Sequence, residues 1–210
     1  MAEGDTSLRN KILILQEAND WAKAAKKPVA EADIKLALYK LNPNSNPASL
    51  FQIGIPYYQG REFKKADSVF QAYSRAFPDS VFGYVWSARS LASIDTSGKQ
   101  GLAIPQYEKL LQVASTDKVR LKSYGIEAAG QLANYYVNVK NDKQKGIEYL
   151  EKGLEFDPGN VSFTSAIERL KKPTPSRPAT PPVKKTSTSS NSAKTAVKVK
   201  TPAGKVKSKG

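Results

Sequence analysis

The chain has 210 residues, with 33 Lys or Arg, 19 Asp or Glu and a formal net charge of +14; it contains no Cys and no His. Without Cys there is no disulfide, thiolate metal site or cysteine nucleophile, and without His no Ser-His-Asp relay or His-containing zinc site. The charge is segregated: Lys171–Gly210 holds eleven of the basic residues and no acidic one, which leaves 22 basic against 19 acidic residues, a net of +3, in 1–170. A nearly neutral body argues against a nucleic-acid-binding face built into the fold.

The chain opens on Met-Ala-Glu-Gly-Asp-Thr-Ser, which is acidic, and the nearby apolar run Ile12-Leu13-Ile14-Leu15 is too short for a signal-peptide core or a membrane span. On its face the chain is cytoplasmic; it is exported or periplasmic if it is a fragment whose signal peptide lies upstream. From residue 7 to 170 helix formers dominate and turn signals recur at short intervals. The pattern predicts helices near 7–26, 30–41, 47–59, 62–77, 81–94, 101–115, 117–139, 143–155 and 162–171. Asn46-Pro47 offers an N-cap followed by Pro at the first helical position, and Asp79 or Ser80 can cap the helix that contains Tyr84. Ser165 and Glu168 have capping-box spacing. Phe77-Pro78-Asp79 and Asp157-Pro158-Gly159-Asn160 stop the helices before them. Pro56, inside a predicted helix, removes the bond to the Gln52 carbonyl and predicts a kink, whereas Pro105 falls in a first turn.

Short helices joined by short turns raise the question of repeats. Leu50, Ile53, Gly54, Tyr57, Ala66, Phe70 and Pro78 follow one another at spacings of 3, 1, 3, 9, 4 and 8. Small residues at 54 and 66 allow two helices to approach closely, Tyr57 and Phe70 fill the space between them, and Pro78 ends the unit. Gly146, Leu150, Gly153 and Pro158 repeat the second-helix spacing; Leu132, Ala133 and Tyr136 supply the first helix with one residue inserted. Tyr84, Ala88, Leu91, Ala103 and Tyr107 form a divergent unit with about three extra residues around Asp95–Gly101. In 7–41 the fit is poorer: Ala32, Leu36 and Tyr39 suit a second helix, but Pro43 comes a residue early.

These spacings resemble the tetratricopeptide (TPR) pattern, with Leu50 in place of its Trp and Tyr73 where a second Ala is usual. The stretch Gly101-Leu-Ala-Ile-Pro-Gln-Tyr-Glu-Lys-Leu-Leu is similar to the C-terminal part of longer bacterial TPR proteins. The resemblance covers about 30–170. It implies an all-α, TPR-type α-solenoid of about four helix pairs with a short final helix over 1–172. Residues 173–210 lack the apolar content for a core, and their Pro, Ser, Thr and Lys content reads as a disordered basic tail.

No phosphate-binding loop is present, since Gly98-Lys99 lacks the upstream Gly and the Ser or Thr. Asn160-Val-Ser162 is formally a glycosylation sequon, Pro175-Ser-Arg-Pro178 and Pro178-Ala-Thr-Pro181 are formally P-x-x-P, and Glu148, Glu151, Lys145 and Lys152 read as a solvated helix flank. No motif points to catalysis, a cofactor or a metal. What remains is the surface of the repeats. In a TPR stack the first helices line a concave groove, and the usual groove positions carry Phe51, Ile55, Tyr58 and Gln59, then Phe82, Val85, Arg89, Ala92 and Ser93, then Asn134, Val137 and Asn138. The expected function is a non-catalytic scaffold or adaptor that holds a protein or peptide in that groove. The Lys/Asn/Arg set with which chaperone-binding TPR domains grip a C-terminal carboxylate is not reproduced. The alternative is weak, sequence-independent contact with nucleic acid or an anionic surface through Lys171–Gly210.

Overall fold

The computed structural model describes residues 2–42 and 44–172. Pro43 and the basic tail, for which the sequence raises expectations above, lie outside them. Among the described residues are nine helices and no strand: α1 (Ala2–Ala24), α2 (Pro28–Leu41), α3 (Ser49–Gln59), α4 (Phe63–Ala76), α5 (Val81–Ile94), α6 (Ile104–Ala114), α7 (Lys122–Asn138), α8 (Lys143–Leu154) and α9 (Val161–Lys171). Each helix packs on the next in the chain, and α3 also touches α5. The result is four antiparallel pairs followed by a single closing helix.

Three of the four turns inside the pairs share one local device. Lys26, Arg61 and Asn141 adopt left-handed backbone with φ of 53°, 62° and 57°, in the turns after α1, α3 and α7. After α3 the Glu62 N–H donates to the Tyr57 carbonyl (2.9 Å) and the Arg61 N–H to the Tyr58 carbonyl (3.0 Å). The turn after α1 repeats this, with Lys27 bonding Ala22 (2.9 Å) and Lys26 bonding Lys23 (3.1 Å). This double closure satisfies carbonyls that a helix end otherwise leaves open. The α5–α6 connection is longer and uses Gly98 and Gly101 at φ +67° and +69° instead.

The turns between pairs are held by side-chain oxygens that accept backbone N–H groups, as helix caps at α5 and α9 and within the turns that precede α3 and α7. Asn46 accepts from the Ala48 N–H (2.9 Å) and starts a tight turn that leads into α3, so the regular helix begins two residues beyond Pro47. Ser80 accepts from Phe82 at the start of α5. The cap of α9 is Asn160, which accepts from the Phe163 N–H (3.1 Å). The spacing of Ser165 and Glu168 therefore does not mark a helix start: both lie inside α9, because Asn160 follows the Pro158 break directly and caps first. Residues 101–103 and 117–121 are turn rather than helix, with Asp117 accepting from the Arg120 N–H (3.0 Å). Pro105 lies in the first turn of α6. At Pro56 the backbone of α3 stays helical, and the Gly60 N–H bonds the Pro56 carbonyl (2.9 Å).

Packing explains the small residues. A Cβ on Gly54 would stand 2.5 Å from the ring of Phe70, which is fully buried, and Ala66 beside it is also fully buried. Tyr57 (1 % exposed) fills the same interface. Gly146 and Gly153 meet Val137 and Phe163 in the same way. Three buried clusters run along the chain, around Tyr57 and Phe70, around Val85, Tyr107 and Leu132, and around Ile147 and Ile167.

Polar ties link neighbouring helices, one of them across from α2 to α4. Asp33 on α2 accepts from the Tyr57 hydroxyl (2.6 Å) and from Lys65 (2.9 Å), and Asp67 on α4 accepts from the Ser87 hydroxyl on α5. Burial pulls the Asp33 carboxyl upward, but the bonds from Tyr57 and Lys65 outweigh it and hold its pKa below the ordinary value.

Candidate binding groove

The first helices of the pairs, α3, α5 and α7, present a row of interacting side chains. At one end Phe51 lies 5.7 Å from Phe82, and Phe82 lies 6.1 Å edge-on from Tyr124. Phe82 is 44 % exposed, which is high for a Phe in a packed repeat. Further along, Tyr58 stands edge-on to Trp86 (5.1 Å), and Trp86 lies beneath the Arg89 guanidinium (5.1 Å). Arg89 donates through Nε to Glu127 Oε1 (2.9 Å) and through a terminal nitrogen to Oε2 (2.6 Å), a two-pronged bond from α5 to α7. Bonding to Glu127 raises the Arg89 pKa further, so the cation is permanent. On α7 the Asn138 Nδ2 donates to Asn134 Oδ1 (2.6 Å), and both side chains are exposed.

The twelve sequence-predicted positions divide by environment. Gln59, Phe82, Asn134 and Asn138 are exposed, and Phe51, Ile55, Tyr58, Arg89, Ala92, Ser93 and Val137 are partly buried. Val85 does not fit. It is fully buried in the cluster that also holds Ala88 and Leu132, and it offers no surface to a partner. The α5 frame places it under the aromatic row, where Trp86, the next residue, is displayed instead. Phe51 and Tyr58 are also less free than their positions suggest, since Phe51 contacts Phe70, Tyr73, Phe82 and Trp86.

Sequence reasoning missed Trp86 and Glu127. A signal for Glu127 was available: counting from Leu132 and Ala133 puts it at the second position of its unit, where Phe82 stands in the unit before. Trp86 occupies a position outside the usual groove set and left no such mark.

Two recesses flank the Asn pair. One, of about 420 Å3, opens between the end of α5, the Asp95–Gly101 connection and α7, and is lined among others by Ala92, Tyr107, Asn134 and Asn138. The other, of about 550 Å3, lies among α7, α8 and α9, with Val137, Phe163 and Arg169 in its wall. Among the described residues no group of three Asp, Glu, His or Cys side chains is placed to hold a metal ion. No described helix is long and apolar enough to cross a membrane.

Neither a protein-family profile nor a curated protein matches the sequence. Solved structures do. The C-terminal part of a TPR repeat-containing protein from Cytophaga hutchinsonii superposes with a TM-score of 0.62 at 27% identity, over 76% of this chain and 61% of that one. The chain is a TPR-type protein. The TPR pairs also superpose on MamA from Desulfovibrio magneticus RS-1, residue 41 to its end, with a TM-score of 0.50 at 20% identity over 76% of this chain and 83% of that one. A double mutant of MamA RS-1 gives a TM-score of 0.52 at the same identity and coverage. The MamA likenesses concern the fold. In TPR terms α3, α5 and α7 are the first helices of their units and α4, α6 and α8 the second, and this chain spans three fifths of the solved Cytophaga fragment.

Proposed function

We propose that this TPR body is a protein-interaction scaffold, which receives an extended peptide or a helix of a protein partner along α3, α5 and α7. The observation that carries the reading is the continuous display across these helices: exposed Phe82, Arg89 stacked on Trp86 and braced by Glu127, and the Asn134–Asn138 pair. Aromatic and Arg side chains anchor interfaces more often than other types. Bracing by Glu127 fixes the guanidinium before a partner arrives, which lowers the ordering cost of binding. Two Asn side chains offer donors and acceptors to a peptide backbone.

Affinity capture with the full chain, followed by binding measurements on the captured partner, tests this. Phe82→Ala, Arg89→Ala and Asn134→Ala should each weaken binding, with losses reaching about 2 kcal/mol at the anchors, and should melt close to wild type. Tyr57→Ala should melt early. Unchanged affinity in all three groove variants would place the binding surface elsewhere.

A second reading rests on the segregated charge of +11 in Lys171–Gly210. That segment carries no aromatic residue on which a base could stack, so its contact with polyanions would be sequence-independent and steeply weakened by salt. A titration of the full chain with mixed-sequence DNA over rising salt tests it, and sequence-selective or salt-insensitive binding rejects it.

A further inference from the structure

Successive pairs meet on a fixed face of the first helix, and α1 leaves that face bare. The backbone bonds fix which residues correspond. Lys26 and Lys27 make the same turn bonds as Arg61 and Glu62, thirty-five residues on. Asn46 and Ser80, thirty-four residues apart, each accept from the N–H two residues later. Trp21 on α1 therefore corresponds to Pro56 on α3 and Ser90 on α5, Ile14 to Gly83 on α5, and Ala25 to Gly60 after α3. Pro56, Ser90 and Gly83 are buried. A Cβ on Gly83 would stand 3.0 Å from the Phe70 carbonyl oxygen and from the Ser74 nitrogen of α4, and one on Gly60 would meet Val29 of α2. This is the face on which the second helix of the preceding pair lies. On α1 nothing among the described residues covers it, and Ile14 and Trp21 are each 66 % exposed.

The occupant of this face is constrained by size. Gly83 is Gly because a neighbouring backbone runs against it, and α1 has Ile at that place and Trp where α5 has Ser. A helix seated as α4 is on α5 therefore has no room. A helix that offers small residues opposite the large ones does fit, and α1 is itself such a helix. Ile14, Ala18, Trp21 and Ala25 fall at i, i+4, i+7 and i+11, a single stripe. Laid antiparallel on its own copy, about a two-fold axis between Asn19 and Asp20, the stripe sets Trp21 against Ala18 and Ile14 against Ala25. The symmetry repeats both contacts. Head-to-tail stacking would instead lay this apolar stripe on α9, whose exposed residues are polar apart from Val161. Exposed Glu17 and Asp20 lie between Ile14 and Trp21 in sequence, which disfavours an anionic lipid surface.

We propose that the bare face of α1 is a self-association surface, on which a second copy of this chain docks through its own α1 as an antiparallel, two-fold symmetric pair. Such an interface closes on itself, so assembly stops at the dimer. The row on α3, α5 and α7 takes no part in it, and the pairing stands or falls independently of the groove reading.

Sedimentation equilibrium of the full chain over rising concentration should show a reversible passage from monomer to dimer and no larger species. Ile14→Glu and Trp21→Glu, both at exposed sites, should melt like the wild type. Each should weaken the dimer at least about tenfold, because pairing would bury a carboxylate without a partner. The chain has no Cys, so an introduced thiol is unique. Ala18→Cys, close to the two-fold axis, should cross-link to its own copy under mild oxidation, and Thr164→Cys on the exposed face of α9 should not. A chain still monomeric at about 1 mM, open-ended growth, a dimer indifferent to both Glu variants, or equal cross-linking through Thr164→Cys would overturn the assignment. So would a monomer whose Trp fluorescence shifts to the blue on phosphatidylserine vesicles and stays put in Trp21→Glu, which gives the face to a lipid surface instead.

Discussion

Gly54 shows how far one residue can govern a repeat. Its missing side chain is where the Phe70 ring sits, and Phe70 is fully buried. Gly54→Ala should therefore destabilise by about 1–3 kcal/mol, the cost of overpacking, despite the better helix propensity of Ala; urea unfolding measures it. The opposite defect, Phe70→Ala, should cost about 3–5 kcal/mol through the cavity it leaves. Asp33 gives a dependence on pH. Its folded pKa is depressed, so its contribution is present above the ordinary carboxylate pKa and is lost as pH falls through the folded value. Melting of the wild type should decline below about pH 4 more steeply than that of Asp33→Asn, and parallel declines would mean that the Tyr57 and Lys65 bonds add nothing.

At the scale of elements, the turns inside pairs can be improved. Arg61 holds left-handed backbone that a side chain disfavours, and Arg61→Gly should stabilise by about 0.5–1 kcal/mol once the flexibility of Gly in the unfolded chain is deducted. Thermal melts of Arg61→Gly beside Arg61→Ala test it, since Ala keeps the strain. Helix positions were legible in the sequence because Pro, Asn and Gly mark the breaks and the small residues fall at fixed spacing. Left-handed turns at Lys26 and Arg61 were not, because neither residue type signals such backbone. Val85 was misplaced for a related reason: position counting assumes that the same position faces outward in every first helix, whereas Val85 turns into the buried cluster that also holds Ala88, Leu110 and Leu132. Glu127 went unseen although its register was countable, because its role depends on Arg89 two helices away.

At the scale of the whole molecule, we propose that residues 1–172 fold without the tail. A chain ending at Lys172 should show the far-ultraviolet signature of helix alone and a cooperative melt, and an unfolded product would reject that boundary. The two ends of the repeat array differ. On α1, Leu13, Ile14 and Trp21 are 53 %, 66 % and 66 % exposed, whereas the residues of α9 left exposed are polar apart from Val161. A polar outer face is what a closing helix of a repeat array needs.

Packing that runs almost wholly from each helix to the next along the chain has a mechanical corollary. Among the described residues the substantial helix contacts reach no further than the next helix but one, so tension applied to the two ends of the body would load the helix pairs in series rather than in parallel. Each interface would then give way on its own terms. Under a steadily stretched tether the body should lengthen in a staircase of small releases, with the pair fastened by Gly54 and Phe70 among the last to yield, instead of in a single rupture.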